Sequence, residues 1–264
     1  MKFLIGCDPE IFLADAAGAL VSSVGLIGGS KDYPRPLEEL GDGFNVQEDN
    51  VAIEFGVPPS ESKEQFVERV TKIREYLSAQ IQQHLGLSLV KYSAAIFPEE
   101  QLKSEAALMF GCEPDYNAWT KKVNPKPKAA DWRLRSAGGH IHVGYKFKDS
   151  DEAFKFGQYM DLAAGVPATI MDDGEMRKEL YGKHGACRIK PYGMEYRVLS
   201  NFWIFDAKTI EWAWQATNRA IEMYEENSVP IDDLHEHIQE AIDNNNKILA
   251  AELVNEYKLP YMEV

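Results

Sequence analysis

Gly138-Gly139-His140-Ile141-His142-Val143-Gly144 lies near the middle of the chain and reads as a β-strand. His140 and His142 alternate with Ile141 and Val143, so two imidazoles share one face and two branched apolar side chains share the other. Glycines bracket the strand, which permits a tight turn or a close backbone approach. One face suits a core. The other suits a metal, a phosphate or a proton. A His-x-His pair on a strand is also a common structural pattern, so its partners decide its meaning.

Three other stretches repeat the two-faced design. Residues 3–14 read as the first strand, with Asp8 and Glu10 on one face and Cys7, Ile11 and Leu13 on the other. In residues 51–57, Val51, Ile53 and Phe55 share a face, which leaves Glu54 opposite among small residues. Glu48 stands just before the natural Asp49-Asn50 turn. In residues 193–199, Glu195 and Arg197 lie opposite Met194, Tyr196 and Val198. If these strands share a sheet, their polar side chains converge. Carboxylates that close cannot all stay ionised without a cation between them. Carboxylate oxygens with one imidazole suit Mg²⁺ or Mn²⁺ better than zinc. With arginines nearby, the natural cargo of such ions is a nucleotide polyphosphate. Taken singly, each piece has a structural alternative: Asp8 and Glu10 as solvated residues of an edge strand, Glu195 and Arg197 as an ion pair on a wet sheet face. The repetition favours the site.

Outward from these strands, residues 3–27 read as a hairpin and residues 44–57 as a second. Phe66, Val70, Ile73, Leu77 and Ile81 recur at helical spacing after a cap at Ser60 or Ser62, predicting a helix that ends near Gly86. Residues 87–97 read as a strand. Residues 98–130 form an irregular insertion with a short helix at 104–110. Residues 150–171 have helical spacing, with Phe154, Tyr159, Leu162 and Val166 as buried positions. Residues 172–191 read as a loop or short helix. A strong helix at 207–226 opens a helical, acidic C-terminal region from about residue 206 to 264, with Asp232 as a cap. Hairpins dominate the start, so the expected class is α+β: a mainly antiparallel sheet with helices packed against it, forming one domain over residues 1–264.

The chain has 264 residues, 45% of them hydrophobic, and a net charge of −14. This acidity argues against nucleic acid and anionic membrane as partners. Cys7, Cys112 and Cys187 show no metal-site spacing and read as free thiols of a reducing, cytoplasmic setting. The first residues lack the pattern of a signal peptide, and no run is apolar enough to span a bilayer.

Four motifs together resemble the phage-encoded carboxylate–amine ligases of type 2, which are similar to the glutamine synthetase and glutamate–cysteine ligase superfamily. They are Gly6-Cys7-Asp8-Pro9-Glu10-Ile11-Phe12-Leu13, Val46-Gln47-Glu48-Asp49-Asn50-Val51-Ala52-Ile53-Glu54-Phe55, the opening stretch, and Pro191-Tyr192-Gly193-Met194-Glu195-Tyr196-Arg197. The resemblance implies a curved, acid-lined sheet like the glutamine synthetase catalytic domain, two or three Mg²⁺ or Mn²⁺ ions, and ATP. Asp8 and Glu10 then resemble the paired first-strand metal ligands, and Glu54 and Glu48 the second acidic pair. His140 resembles the metal-binding histidine, and Glu195 the last-strand ligand. His142 resembles the histidine facing substrate or phosphate. Arg197 resembles the arginine that holds the transferring phosphoryl group or the substrate carboxylate. Arg177 and Arg188 resemble arginines that approach ATP, with Lys183 and Lys190 as further candidates. Residues 112–128 stand where the amine-binding loop is expected. Two features depart from the large synthetases: Asp8 replaces their Glu, and their small N-terminal domain has no counterpart, so their oligomeric state is not carried over. The implied activity joins a small-molecule or peptide carboxylate to an amine at the expense of ATP. The competing readings are a metal-dependent hydrolase and a nucleotide- or metal-binding module without catalysis.

Overall fold

The computed structural model describes residues 3–108, 115–172 and 174–262. The first expected strand forms as two, β1 (Leu4–Cys7) and β2 (Glu10–Ala14). Pro9 separates them because it has no amide hydrogen to give a ladder. The break is also a seam. Glu10 N donates to Gly138 O at 2.8 Å, while Phe55 N donates to Pro9 O at 3.2 Å. The same short segment therefore ties two walls of strands together, and Asp8 and Glu10 stand at the join.

Of the expected return strand over 19–27 only β3 (Leu20–Val21) forms, and β4 (Arg35–Pro36) follows in the loop beyond it. The second hairpin forms as read, from β5 (Asn45–Asp49) and β6 (Ala52–Gly56). Asn50 turns it at a φ of 56°, a left-handed conformation that asparagine tolerates. Helix α1 (Lys63–Leu85) starts where Ser62 Oγ accepts from Gln65 N at 3.3 Å, and it stops at left-handed Gly86. Its five apolar positions are all buried.

Residues 87–97 are not one strand. They split into β7 (Ser88–Val90), which joins β2, and β8 (Ala94–Ile96), which pairs elsewhere. Helix α2 (Glu105–Leu108) is the short helix of the insertion; residues 109–110 of that expectation lie outside the described residues. After β9 (Tyr116–Asn117) and β10 (Leu134–Ser136), the partner of β8, comes β11 (Ile141–Gly144), the heart of the opening stretch. The helical region 150–171 is α3 (Ser150–Met160) and α4 (Val166–Met171), joined by a wide turn at Asp161–Gly165. Residues 172–191 hold more than a loop: a tight helical turn at Glu175–Glu179 and then strand β12 (Ala186–Lys190), which pairs with β13 (Gly193–Tyr196). Helices α5 (Ala207–Glu226), α6 (His235–Asp243) and α7 (Lys247–Tyr257) complete the chain. Asp232 falls in a tight turn ahead of α6, not at its cap.

The strands order as β1-β11-β13-β12-β9 in one sheet and β3-β2-β6-β5-β4 in the other, and every pairing is antiparallel. Together with the seam they make a curled antiparallel wall. One face carries Ile5, Cys7, Ile141, Val143, Cys187, Met194 and Tyr196 into the main core, where α1, α3 and α5 bury Phe66, Phe156 and Trp212. Full burial of such a side chain stabilises by roughly 1.5–3 kcal/mol. The opposite face is polar. Register then decides which polar groups meet: His142 lies across from Glu195, and Glu195 across from Arg188. Among the described residues no helix is long and apolar enough to cross a membrane.

Candidate active site

Two glycines shape the start of the central strand. A Cβ on Gly138 would stand 2.2 Å from His140 Nε2, and one on Gly139 would stand 2.3 Å from Ser200 O. Only glycine lets the strand press against its neighbours here, so that His140 folds back over its own backbone. Gly138 N also donates to Glu10 Oε2 at 2.8 Å, which orients that carboxylate.

Two carboxylate clusters result. In the first, one donor atom each from Asp8, His140 and Glu195 lies within 4.8 Å of the others. His140 Nδ1 is 3.2 Å from Asp8 Oδ1 and 3.7 Å from Glu195 Oε1, and His142 Nε2 is 3.0 Å from Asp8 Oδ2. Glu10, Asp49 and Glu54 make the second cluster, on the same criterion. Gln47 Nε2 donates to Glu54 Oε1 at 2.8 Å and fixes it.

Glu48 is not part of either cluster. Its Oε2 accepts from Gly25 N at 2.9 Å, and its Oε1 accepts from Ile27 N at 3.0 Å and Gly28 N at 2.7 Å. It folds the loop after β3 on the far side of the wall. Asp49 takes the place expected of it. The signal was present in the alternation: Asn45, Gln47 and Asp49 share one face of β5, and Val46 and Glu48 the other. The period along β5, and not the mere presence of an acid, puts Asp49 and Gln47 on the site face.

The electrostatics follow from crowding. Burial, then Asp49, pushes the Glu10 carboxyl up to about 8. Burial raises Asp49, and burial with Asp8 and Asp49 raises Glu54 well above the usual carboxylate range. Asp8 goes the other way: burial opposes its charge, but His142 and His140 outweigh it and hold the carboxyl low. Glu195 is opposed by burial and by Asp8, yet Arg197, His140 and Arg188 bring it down to about 2. His140 is lowered to about 4 by burial and then by Arg197, which keeps its imidazole neutral.

The cations divide into two groups. Arg188 Nη1 donates to Glu195 Oε2 at 3.1 Å, Lys190 Nζ is 3.3 Å from the same oxygen, and Arg197 Nη1 contacts Glu195 Oε1. These three border the acid clusters. Arg177 is buried behind them, and burial lowers its guanidinium to about 10. Its Nη1 donates to Val198 O at 2.8 Å and its Nη2 to Arg197 O at 3.2 Å, so it positions the backbone that carries Arg197. Lys183 is exposed and borders a different cavity from the acids. Tyr192 extends the site, with its OH 3.1 Å from His142 Nδ1; Tyr196, on the opposite, core face, donates its OH to buried Asp161.

Three cavities meet here. One, of about 340 Å³, is lined by Asp8 and His140 of the first cluster and by Glu10, Asp49 and Glu54 of the second, with Arg188 and Lys190. A second, of about 190 Å³, runs under residues 124–128 and 181–183. A third, of about 50 Å³, is walled by Phe12, Val51, Ala52 and Leu180. His140 and Arg197 line all three.

The residues present fit divalent cations. Asp8 Oδ1 and His142 Nε2 are buried with no aligned hydrogen-bond partner, and the donor set is five carboxylates with a neutral imidazole. Hard ions with oxygen ligands match that set.

A family model described as Phage phiEco32-like COOH.NH2 ligase-type 2 matches residues 126–259, just over half of the chain. That span includes His140, His142, Arg177, Lys183, Arg188, Lys190, Glu195 and Arg197. Among solved structures, a bifunctional glutathione synthetase from Pasteurella multocida is similar at 11% identity with a TM-score of 0.46. The alignment covers 97% of this chain and 49% of that one, so the chain spans about half the length of that relative. No curated protein matches. The chain belongs to the phage phiEco32-like COOH.NH2 ligase (type 2) family.

Proposed function

We propose that this chain is an ATP-dependent carboxylate–amine ligase that works as one catalytic domain, with a curled sheet equivalent to that of the glutamine synthetase superfamily. The observation that carries the reading is the meeting of three cavities at His140 and Arg197, beside two clusters of acids. A ligase of this kind must bring a nucleotide, a carboxylate and an amine to one point.

Asp8, His140 and Glu195 would hold one Mg²⁺ or Mn²⁺, and Glu10, Asp49 and Glu54 another. When bound, such ions neutralise charge on the β- and γ-phosphates. Arg197 and Arg188 donate to the oxygens of the phosphoryl group in transfer. Arg177 keeps Arg197 in place through the carbonyls of residues 197 and 198. A substrate carboxylate oxygen bonds to the γ-phosphorus as the bond to the ADP oxygen breaks, giving an acyl phosphate. The amine then bonds to the acyl carbon, and phosphate leaves with the electron pair of the C–O bond. The products are an amide, ADP, phosphate and one proton.

The test is to incubate the chain with MgATP and pools of amino acids and short peptides, and to measure phosphate and ADP. Substrate-dependent release of both, with a new amide by mass spectrometry, is the expected result. Absence of ADP from every pool, together with no binding of a non-hydrolysable ATP analogue, overturns it. Metal-dependent cleavage of a substrate without nucleotide would indicate a hydrolase instead.

A further inference from the structure

One cation in the acid-lined cavity comes from outside the strands that hold the others. Among the described residues that line this cavity, the cations are Lys31, Arg188, Lys190 and Arg197. The last three stand on β12 or just after β13, and all three reach Glu195. Lys31 comes from the loop between β3 and β4. Strand β4 ends one sheet, and β12 lies next to the end of the other, so Lys31 enters from the side of the curled wall opposite Arg188. We propose that Lys31 is a further catalytic residue: its ammonium contacts a phosphate oxygen of the nucleotide, across the site from Arg188 and Arg197. The proposal rests on the ligase reading for its nucleotide, and adds to it a residue and the loop that carries it.

The loop is a pinned arm. Before Lys31, Glu48 accepts from the amides of Gly25, Ile27 and Gly28. Gly29 follows at a φ of +80°, and a Cβ there would stand 2.7 Å from Val46 O and 2.8 Å from Arg35 N. Only glycine lets the backbone lie so close against β5. Ser30 N then donates to Tyr33 O at 3.1 Å and Tyr33 N to Ser30 O at 3.0 Å, which closes a tight turn with Lys31 and Asp32 at its tip. After it, β4 pairs with β5, Arg35 opposite Val46. Both ends of the arm are thus fixed to β5, the strand whose other face carries Gln47 and Asp49 into the site. A ligand that meets Lys31 finds its backbone already ordered, so less freedom is lost on binding.

Charge and size say what Lys31 meets. The two clusters hold five carboxylates, and two divalent ions offset most of that charge. With metal bound, four cations leave the cavity positive and suited to a polyanion. Its volume of about 340 Å³ falls within the roughly 300–1,000 Å³ of small-molecule sites. Arg188 and Arg197 share their donors with Glu195, whereas a lysine brings a compact charge on a flexible stem that can follow a phosphate. The other irregular segment, residues 115–128, borders the neighbouring cavity instead; Cys112 lies outside the described residues.

The test is calorimetry on the full chain, first with Mn²⁺ alone and then with a non-hydrolysable ATP analogue and Mg²⁺. Lys31 is exposed, so Lys31→Ala is expected to melt like the wild type. It should lose about tenfold or more in analogue affinity, as for one charge-assisted hydrogen bond, and the loss should shrink as salt rises. Its Mn²⁺ affinity should hold or tighten, because a positive charge beside the acids is gone. Lys31→Arg should recover most of the analogue affinity. Two outcomes overturn the proposal. Unchanged or tighter analogue binding by Lys31→Ala means that the lysine only neutralises the acids. Parallel loss of Mn²⁺ and analogue means that it acts through the metal ligands. If the wild-type chain binds Mn²⁺ but no analogue, the ligase reading itself fails, and this assignment falls with it.

Discussion

At the scale of single residues, neighbours on one strand have opposite duties. Asp49 faces two other carboxylates, Glu10 and Glu54, while Glu48 ties three backbone amides of the loop at 25–28. Asp49→Asn is therefore expected to weaken Mn²⁺ binding by tenfold or more, since ligand charge sets affinity in such sites. Glu48→Gln should leave Mn²⁺ affinity within about twofold and cost about 1–2 kcal/mol of stability through the lost amide bonds. Titration calorimetry and urea denaturation on both variants separate the two roles. The reverse pattern would remove Asp49 from the site. Glu54→Ala, which empties the centre of the second cluster, should abolish metal-dependent binding of an ATP analogue, and unchanged binding would show Glu54 to be a bystander.

At the scale of elements, the turn between α3 and α4 ties the core side of the sheet to the loops around the site. Asp161 is fully buried. It accepts from Trp119 Nε1 at 2.7 Å, Gly185 N at 2.6 Å and Tyr196 OH at 2.8 Å. Its place in a wide helical turn, a feature frequent at functional sites, aims it at all three. Asp161→Ala leaves the donors of Trp119, Gly185 and Tyr196 without their acceptor, and a loss of about 3–5 kcal/mol is expected in a denaturant series. Asp161→Asn keeps the shape and should cost less. Equal, small losses for both would mean that the network carries little of the fold's stability.

For the whole molecule, stability is expected to depend on pH through the buried acids. Burial raises Glu10 to about 8 and Asp161 to about 6. A carboxyl whose pKa rises on folding contributes stability at low pH, and that contribution is lost as the pH climbs through the folded value. Asp8 and Glu195 are held low and act in the opposite sense, but only in acid, below the usual carboxylate range. Without divalent metal, Tm should fall by roughly 4 °C or more between about pH 5 and about pH 8, which is about 1–2 kcal/mol for a chain of this size. Added Mg²⁺ should restore more at about pH 8 than at about pH 5, because ligand carboxylates must lose their protons to bind it. Scanning calorimetry at the two pH values checks this. A flat Tm with no effect of Mg²⁺ would mean that the acids are neither buried nor metal-linked.

The sequence by itself determined the local pieces. Alternation on residues 138–144 and 193–196 and helical spacing from Phe66 to Ile81 were legible because each depends only on neighbours along the chain. So were the acids Asp8, Glu10, Glu54 and Glu195 and the histidine His140, since period and chemistry agreed there. Strand β12, with Arg188, was not legible: its five residues carry no strong pattern, and only pairing with β13 makes them a strand. Nor was the break at Pro9, which a strand can hold only because two sheets share its neighbours. The choice of Asp49 over Glu48 and the turning of Arg177 towards backbone carbonyls belong to the tertiary structure too. So does the cavity shared by Lys31 and Arg188, which lie far apart along the chain. Such features depend on which distant groups share a space, and the order of residues does not contain that distance.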